Sequence, residues 1–421
     1  MWNATDASTR QPLSGVTVRD RFRVGVASRI FEPEPAAAAF RLGAVADALV
    51  ADGATVDVVT ASVPEQLIAG ARDAEQGVKV SRFPVLRDKA GYVRGYVPYM
   101  SFDIPLFFRL LFGPRFDVLL VEPPPTTGFV ARLACRLRNI PYVWYAADVW
   151  SDATEIAGAP RLVVKVVRGL ERFAVRGAAG IIAVSDGVKG RVQELGGRNI
   201  RVIPNGIDTE TYSTNVEAPA PEALLELGIT GSYVIYAGTA SEWQGARVFA
   251  QAMRKVAGSH PELQIVFVGQ GSEWEDIAAE AHGLRRTFGR DVVVQVAPTS
   301  PGRVAQLLAG AEGALVSIVP GKGYDFAYPT KVLAALAAGS PVLFAGDGPV
   351  AKDLKNNGLG LACAYDVGSV GEGIVSLVEA DWPTSAREQR RGWVVENRSV
   401  RKSAEGAARF VLDVGARGGR K

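Results

Sequence analysis

A proline at the start of a helix loses nothing, because its missing N–H would have no partner there. In Gly321-Lys322-Gly323-Tyr324-Asp325-Phe326-Ala327-Tyr328-Pro329-Thr330-Lys331, Pro329 therefore predicts a helix start, with Thr330 and Lys331 in its first turn and the helix running to Ala338. A cation there opposes the positive end of the helix dipole at a cost of about 0.3–1 kcal/mol, which a bound anion offsets. A glycine-containing loop feeding that helix suits a diphosphate; the plainer alternative is a solvated lysine.

Three further patches invite chemistry. Ala146-Ala147-Asp148-Val149-Trp150 follows an apolar run, so a carboxylate and an aromatic ring would sit at a strand's carboxyl end. Such a pair can orient a hydroxyl and stack on a sugar ring, or can be a helix cap and a packed tryptophan. Glu34-Pro35-Ala36-Ala37-Ala38-Ala39-Phe40-Arg41 puts small residues at a helix start, where a ligand can approach backbone N–H groups. The same alanines would also let a helix pack closely on a sheet, and without GxGxxG a dinucleotide site has little support. Ile203-Pro204-Asn205-Gly206-Ile207-Asp208 contains the Asn-Gly turn signal and reads as an interdomain turn.

The elements that must position these patches follow from periodicity. Phe22 to Ala27, Thr55 to Thr60, Phe116 to Val121, Tyr142 to Tyr145, Gly180 to Val184 and Ile200 to Ile203 read as strands. Helical spacing lies between most of them, at Ala36 to Asp52, Thr127 to Arg138, Leu162 to Arg176 and Gly187 to Leu195. Apolar strands alternating with helices predict a parallel sheet covered on both faces. The Pro/Ala-rich 215–221 stretch breaks the rhythm, and a second series runs from Tyr233 to Phe344. The expected architecture is α/β: two tandem doubly wound units, a fold whose ligands bind beyond the carboxyl ends of the strands. The predicted boundaries are a flexible polar leader (1–20), a first doubly wound domain (21–210), a second (211–383) and a helical segment (384–421) packing back on the first domain.

Composition bounds the rest. The 421 residues allow two ordinary domains, and a net charge of +3 argues against a general nucleic-acid binder. A pI near 8.8 still permits a basic patch facing an anionic membrane or a phosphorylated substrate. Two cysteines, Cys135 and Cys363, and two histidines, His260 and His282, form neither a disulfide framework nor a metal cluster. No metal or other cofactor is expected, and a reducing cytoplasm is the expected location. The leader lacks the apolar core of a signal peptide, and no apolar run reaches the ~18 residues of a spanning helix. The 96–113 stretch, apolar and flanked by Arg94, Arg109 and Arg115, is either a buried helix or a membrane-surface contact.

In this order the patches resemble the retaining glycosyltransferases of family 4, which have the GT-B fold, and most closely their WbuB-like branch of surface-polysaccharide sugar transferases. The matching segments are Glu34 to Arg41, with Ala36 where the family has glycine; Asp148-Val149-Trp150; Pro204 to Asp208; Tyr236-Ala237-Gly238 with Gln244-Gly245; Phe267 to Gly271; and Pro329-Thr330-Lys331. They cover the chain from about Phe22 to Ala364.

The resemblance implies a nucleotide-sugar donor held near Gly238, Gly269 and Gly271. Its diphosphate would meet Pro329, Thr330 and Lys331, with Gln244 and Arg247 nearby and Asp325 near the donor sugar. A glycan or lipid-linked acceptor would lie against Ala36, Ala37, Arg41 and Trp150, with Asp148 the catalytic residue. Where many members carry two glutamates separated by seven residues, this chain has Phe326 and Ala334, so either ribose binding differs or activity is impaired. The rival readings are a hydrolysing sugar-nucleotide epimerase, opposed by the absence of histidine before His260, and a non-catalytic sugar-nucleotide-binding partner, made plausible by Ala334.

Overall fold

The computed structural model describes residues 22–34, 36–64, 67, 74–75, 77–87, 93, 95–156, 158–383 and 385–418. The 1–20 leader, Pro35 and Arg94 lie outside them. In the first half, β1 (Arg23–Ala27), β2 (Thr55–Ala61), β3 (Ala74–Glu75), β4 (Val78–Phe83), β5 (Val118–Val121), β6 (Tyr142–Ala146), β7 (Gly180–Ala183) and β8 (Ile200–Val202) form one sheet. Its order is β3-β4-β2-β1-β5-β6-β7-β8. In the second half, β9 (Tyr233–Ala237), β10 (Gln264–Val268), β11 (Val293–Val296), β12 (Gly313–Ser317), β13 (Val342–Ala345) and β14 (Gly360–Cys363) are ordered β11-β10-β9-β12-β13-β14.

Central strands are apolar because both faces are covered. Val-Leu-Leu-Val of β5 and Gly-Ala-Leu-Val-Ser of β12 are buried throughout. One face of the first sheet packs Trp144 and Leu119 under the Pro125–Arg138 helix, and the other packs Val24 and Val118 under the Ala37–Ala51 helix. All pairings but the short β3–β4 contact are parallel. The strand order reverses between β1 and β5 in one sheet and between β9 and β12 in the other. Connections leave to opposite faces at these points, so a crevice opens at the strands' carboxyl ends.

The chain crosses between the halves twice, side by side. Ile207, at the end of the first half, pairs in parallel with Ser399. The Ile207 amide donates to Arg398 O at 2.8 Å, and the Val400 amide donates to Ile207 O at 2.9 Å. Gly206 is required by this closeness: a side chain's first carbon there would lie 2.4 Å from the Ser399 backbone. On one side of the crossing, the Ser385–Arg398 helix contributes Val394 to the second half's core. On the other, the Val400–Gly418 helix contributes Phe410, Val411 and Val414 to the first half's core. The helical ending is thus two helices, divided at Ser399 and shared between the domains.

Candidate active site

Two cavities occupy the two switch points. The one in the second half, of about 400 Å³, lies beyond β9 and β12 and is lined by Gly238, Thr239, Gln244, Gly269, Gln270, Thr330, Lys331 and Ala334, among others. Its floor is close-packed backbone. Gly238 (φ +130°) and Gly269 (φ +145°) adopt a conformation open to glycine. A methyl group on Gly269 would lie 2.3 Å from Gly238 O.

The Thr330–Ala337 helix points its amino end into this cavity. Pro329 is its N-cap and supplies no side-chain hydrogen bond, and its first turn carries no acid. The turn's N–H groups and dipole are therefore uncompensated by side chains. Lys331 Nζ donates to Tyr236 Oη and, at 2.9 Å, to Thr239 O, and lies 3.9 Å from the centre of the Tyr236 ring. With the Gln244 amide oriented to donate to Ser241 and Thr239, its oxygen accepts from Lys331 Nζ at 3.2 Å. Every one of these partners is neutral. Loss of water without a counter-charge pushes the ammonium down to about 7.

The first-half cavity, of about 290 Å³, lies beyond β1 and β5 and is lined by Arg29, Ala37, Ala38, Arg41, Glu122, Asp148, Trp150 and Asn205, among others. Arg41 donates to Glu122 Oε1 at 2.6 Å and to Asn205 Oδ1 at 3.3 Å, and lies 4.7 Å from the centre of the Tyr145 ring. Burial raises the Glu122 carboxyl above its usual range against the pull of Arg41. The Asp148 carboxylate is open to the cleft, yet the protein around it withholds bulk water and raises its pKa, with Arg41 pulling the other way. Asp148 is not a helix cap. Glu171 takes that role for the Trp150–Ile156 helix, accepting from the amides of Trp150 at 2.8 Å and Ser151 at 3.0 Å. The crossover joins the two sites: Asn205 lines one cavity and Ile207, two residues on, lines the other.

The structure thus gathers Gly238, Gln244, Gly269, Thr330 and Lys331 in one cavity, and Ala37, Arg41, Asp148 and Trp150 in the other. Ala36 is the N-cap behind Ala37, and Gly271 packs on Ala240 O beneath the floor. Two expected residues stand outside the lining of the second-half cavity. The Arg247 guanidinium pairs with Glu280 at 2.8 Å, with Asp276 at 4.0 Å. Asp325 closes its own loop instead of lining the cavity, accepting from the Gly321 amide at 3.0 Å. The same loop places Phe326 against Gly187 of the first half. Sequence reasoning missed Arg29, Glu122, Tyr212 and Gln270. Arg29 and Glu122 each follow a switch-point strand by one or two residues, and Gln270 separates two glycines already singled out.

Comparison with known proteins agrees with this two-domain fold. Residues 40–211 match the family model "Glycosyltransferase Family 4", and residues 231–380 match "Glycosyl transferases group 1". No curated protein matches in sequence. Among solved structures, Alr3699/HepE from Anabaena in complex with UDP and glucose superposes with a TM-score of 0.66 at 16% identity, covering 93% of this chain and 100% of that one. Sucrose-phosphate synthase from Thermosynechococcus elongatus gives 0.68 at 16% identity, over 94% and 100%. WaaG, a glycosyltransferase involved in lipopolysaccharide biosynthesis, gives 0.64 at 16% identity, over 92% and 99%. At such identities the likeness establishes a common fold, which is GT-B.

The state of Lys331 predicts a pH signature. Its folded pKa, near 7, lies below the ordinary 10.5, so between these values the unfolded chain binds more protons and stability rises with pH. The penalty is complete below pH 7 and relieved as pH approaches 10.5. Urea unfolding at pH 7 and pH 9 should show the wild type gaining stability relative to Lys331→Met. Equal shifts in the two proteins would mean that the lysine is not desolvated.

Proposed function

We propose that this chain, a GT-B glycosyltransferase by its two matching domains and its fold, moves a sugar from a nucleotide-diphosphate donor to an acceptor hydroxyl with retention at the anomeric carbon. The observation that carries this reading is the lone lysine at an uncapped helix start, lining a cavity at the β9/β12 switch point. A diphosphate there meets its first charged partner in Lys331, together with the first-turn amides. Complexes of the Anabaena neighbour with UDP support a nucleotide ligand for this fold.

In this reaction the bond from the anomeric carbon to the leaving diphosphate breaks as the acceptor oxygen bonds on the same face. The hydroxyl proton passes to the departing phosphate oxygen. Lys331 and the helix amides stabilise the charge that develops there, so we assign no metal to the step. Asp148 accepts from the acceptor hydroxyl as it docks and sets its oxygen in line; that O–H turns to the departing phosphate oxygen as the bond breaks. The acceptor is a glycan or lipid-linked precursor, and the WbuB-like, surface-polysaccharide placement rests on the motifs alone. A non-catalytic nucleotide-sugar-binding partner is the alternative, because Ala334 puts no side-chain acceptor on its part of the wall.

A second observation bears on where the acceptor comes from. The Tyr96–Phe112 helix is neither a wholly buried helix nor a spanning one: it buries Phe102, Leu106 and Leu110 and exposes Val97, Ile104, Phe108 and Phe112, the last 78% open. No helix among the described residues is long and apolar enough to cross a membrane. This apolar face, with Arg109 beside it and Arg115 just beyond the helix, suits a surface contact with anionic lipid.

Two tests follow. With UDP-, GDP- and dTDP-sugars, at least one donor should raise the melting temperature, and at about one hundred times its dissociation constant should add about 2.7 kcal/mol. Lys331→Ala should abolish the shift. Asp148→Asn should keep it while transfer to a membrane-extract acceptor falls by about 10²-fold, and EDTA-dialysed protein should keep its rate. Donor binding with no turnover in any extract would favour the non-catalytic partner. In flotation, the protein should rise with phosphatidylglycerol vesicles and Phe108→Ser/Phe112→Ser should not; equal flotation would remove the membrane reading.

A further inference from the structure

Beyond Thr330, two side chains of the Thr330–Ala337 helix line the second-half cavity, and they differ in kind. Lys331 brings the cavity its cation; Ala334, three residues on and 7% exposed, brings a methyl group. Residues three apart share a helix face and stand about 4.5 Å apart along the axis. Around Ala334 the wall is hydrocarbon. Ile207, Val304, Leu308 and Val316 line the cavity and pack with Ala334 into one cluster. The Ala334 carbonyl is already taken, accepting from the Ala338 amide at 3.0 Å.

Of the residues that both line the cavity and belong to this cluster, Tyr212 alone has a polar side-chain atom. The cavity's other polar side chains are engaged or distant. Thr239 and Gln244 gather round Lys331 with Thr330, at the diphosphate end. Gln270 and Thr299 are exposed on the loops after β10 and β11, across β9 from β12 and the helix that follows it.

A nucleotide whose diphosphate sits at Lys331 puts its next unit against this wall. Its pentose hangs on the α-phosphate by one methylene, which brings the ring level with Ala334. A hydroxyl pressed on hydrocarbon leaves water and finds no partner, a loss that weakens binding about tenfold or more. We propose that the donor is a 2′-deoxynucleoside diphosphate sugar, selected by the apolar wall at Ala334. The inference rests on the diphosphate placement proposed above and names the substrate class of that cavity. Tyr212 meets the 3′-hydroxyl, which both pentoses carry, and the hydrocarbon wall meets the 2′-carbon. Ala334 is then a specificity residue and takes no part in making or breaking bonds. Rejection of an added hydroxyl by an apolar pocket reaches about 10²-fold.

The full chain is titrated by calorimetry with UDP and dUDP, GDP and dGDP, and ADP and dADP, each pair differing at the 2′ position alone. In the pair that binds most tightly, the deoxy member should bind about tenfold or more tighter. Ala334→Ser and Ala334→Gln each supply a hydrogen-bonding group and should bring the ribonucleotide level or ahead. A melting temperature close to that of the wild type, measured without nucleotide, certifies that a variant folds. Equal binding of the two members by the wild type, or a preference for the ribonucleotide, overturns the proposal. So does a deoxy preference that persists undiminished in the folded variants. If no member of any pair binds, the nucleotide-donor reading falls with it. If a ribonucleotide binds best and loses its affinity in Lys331→Ala, that reading stands and this inference alone fails.

Discussion

The structure turns on one ammonium group without a counter-ion. Lys331 lies between the Tyr236 ring and the Thr239 carbonyl at the positive end of a helix, and each neighbour can accept a hydrogen bond but none can neutralise charge. Water is the only thing that normally makes such a place tolerable for a cation, and here water is partly excluded. The protein accordingly holds the group near the balance between charged and neutral. A diphosphate reverses every one of these disadvantages at once, because helix end and lysine then act on the same negative charge.

The rest of the fold delivers that helix to its place and sets a second site beside it. Both sheets reverse their strand order near the middle, and both cavities lie at the reversal. The paired crossover at Ile207 and Ser399 joins the halves within two residues of each cavity. Phe326 adds a contact across the cleft on the second domain's loop, beside the start of the Asp186–Glu194 helix. The wall chemistry of the two cavities differs in kind. One has a single cation among neutral groups; the other balances Arg41 against Glu122 and leaves Arg29 and Asp148 facing the cleft.

Much of this was legible in the residues. Buried strands such as Val118–Val121 announce themselves as short apolar runs, and Pro329 before Thr330-Lys331 marks a helix start because proline fits few other places so well. Other features carried no local signal. The two-residue β3 exists only through its partner β4, and the exposed face of the Tyr96–Phe112 helix cannot be told from a buried one by hydrophobicity, since both faces are apolar. Arg247 stands in a favourable sequence position, but a first-turn arginine can lean several ways, and Glu280, 33 residues on, decides it. The capping of Trp150 by Glu171 is likewise a tertiary fact. A lone polar residue after a strand has no periodicity to betray its role.

The most direct test of the account is whether Lys331 gains a proton when a diphosphate arrives. At pH 8 a group with a pKa near 7 is about nine-tenths neutral. UDP binding measured by calorimetry in two buffers of different ionisation enthalpy should therefore show uptake approaching one proton per nucleotide, lost in Lys331→Met. No uptake by the wild type, or the same uptake by the variant, would contradict the placement of the diphosphate at the amino end of the Thr330–Ala337 helix.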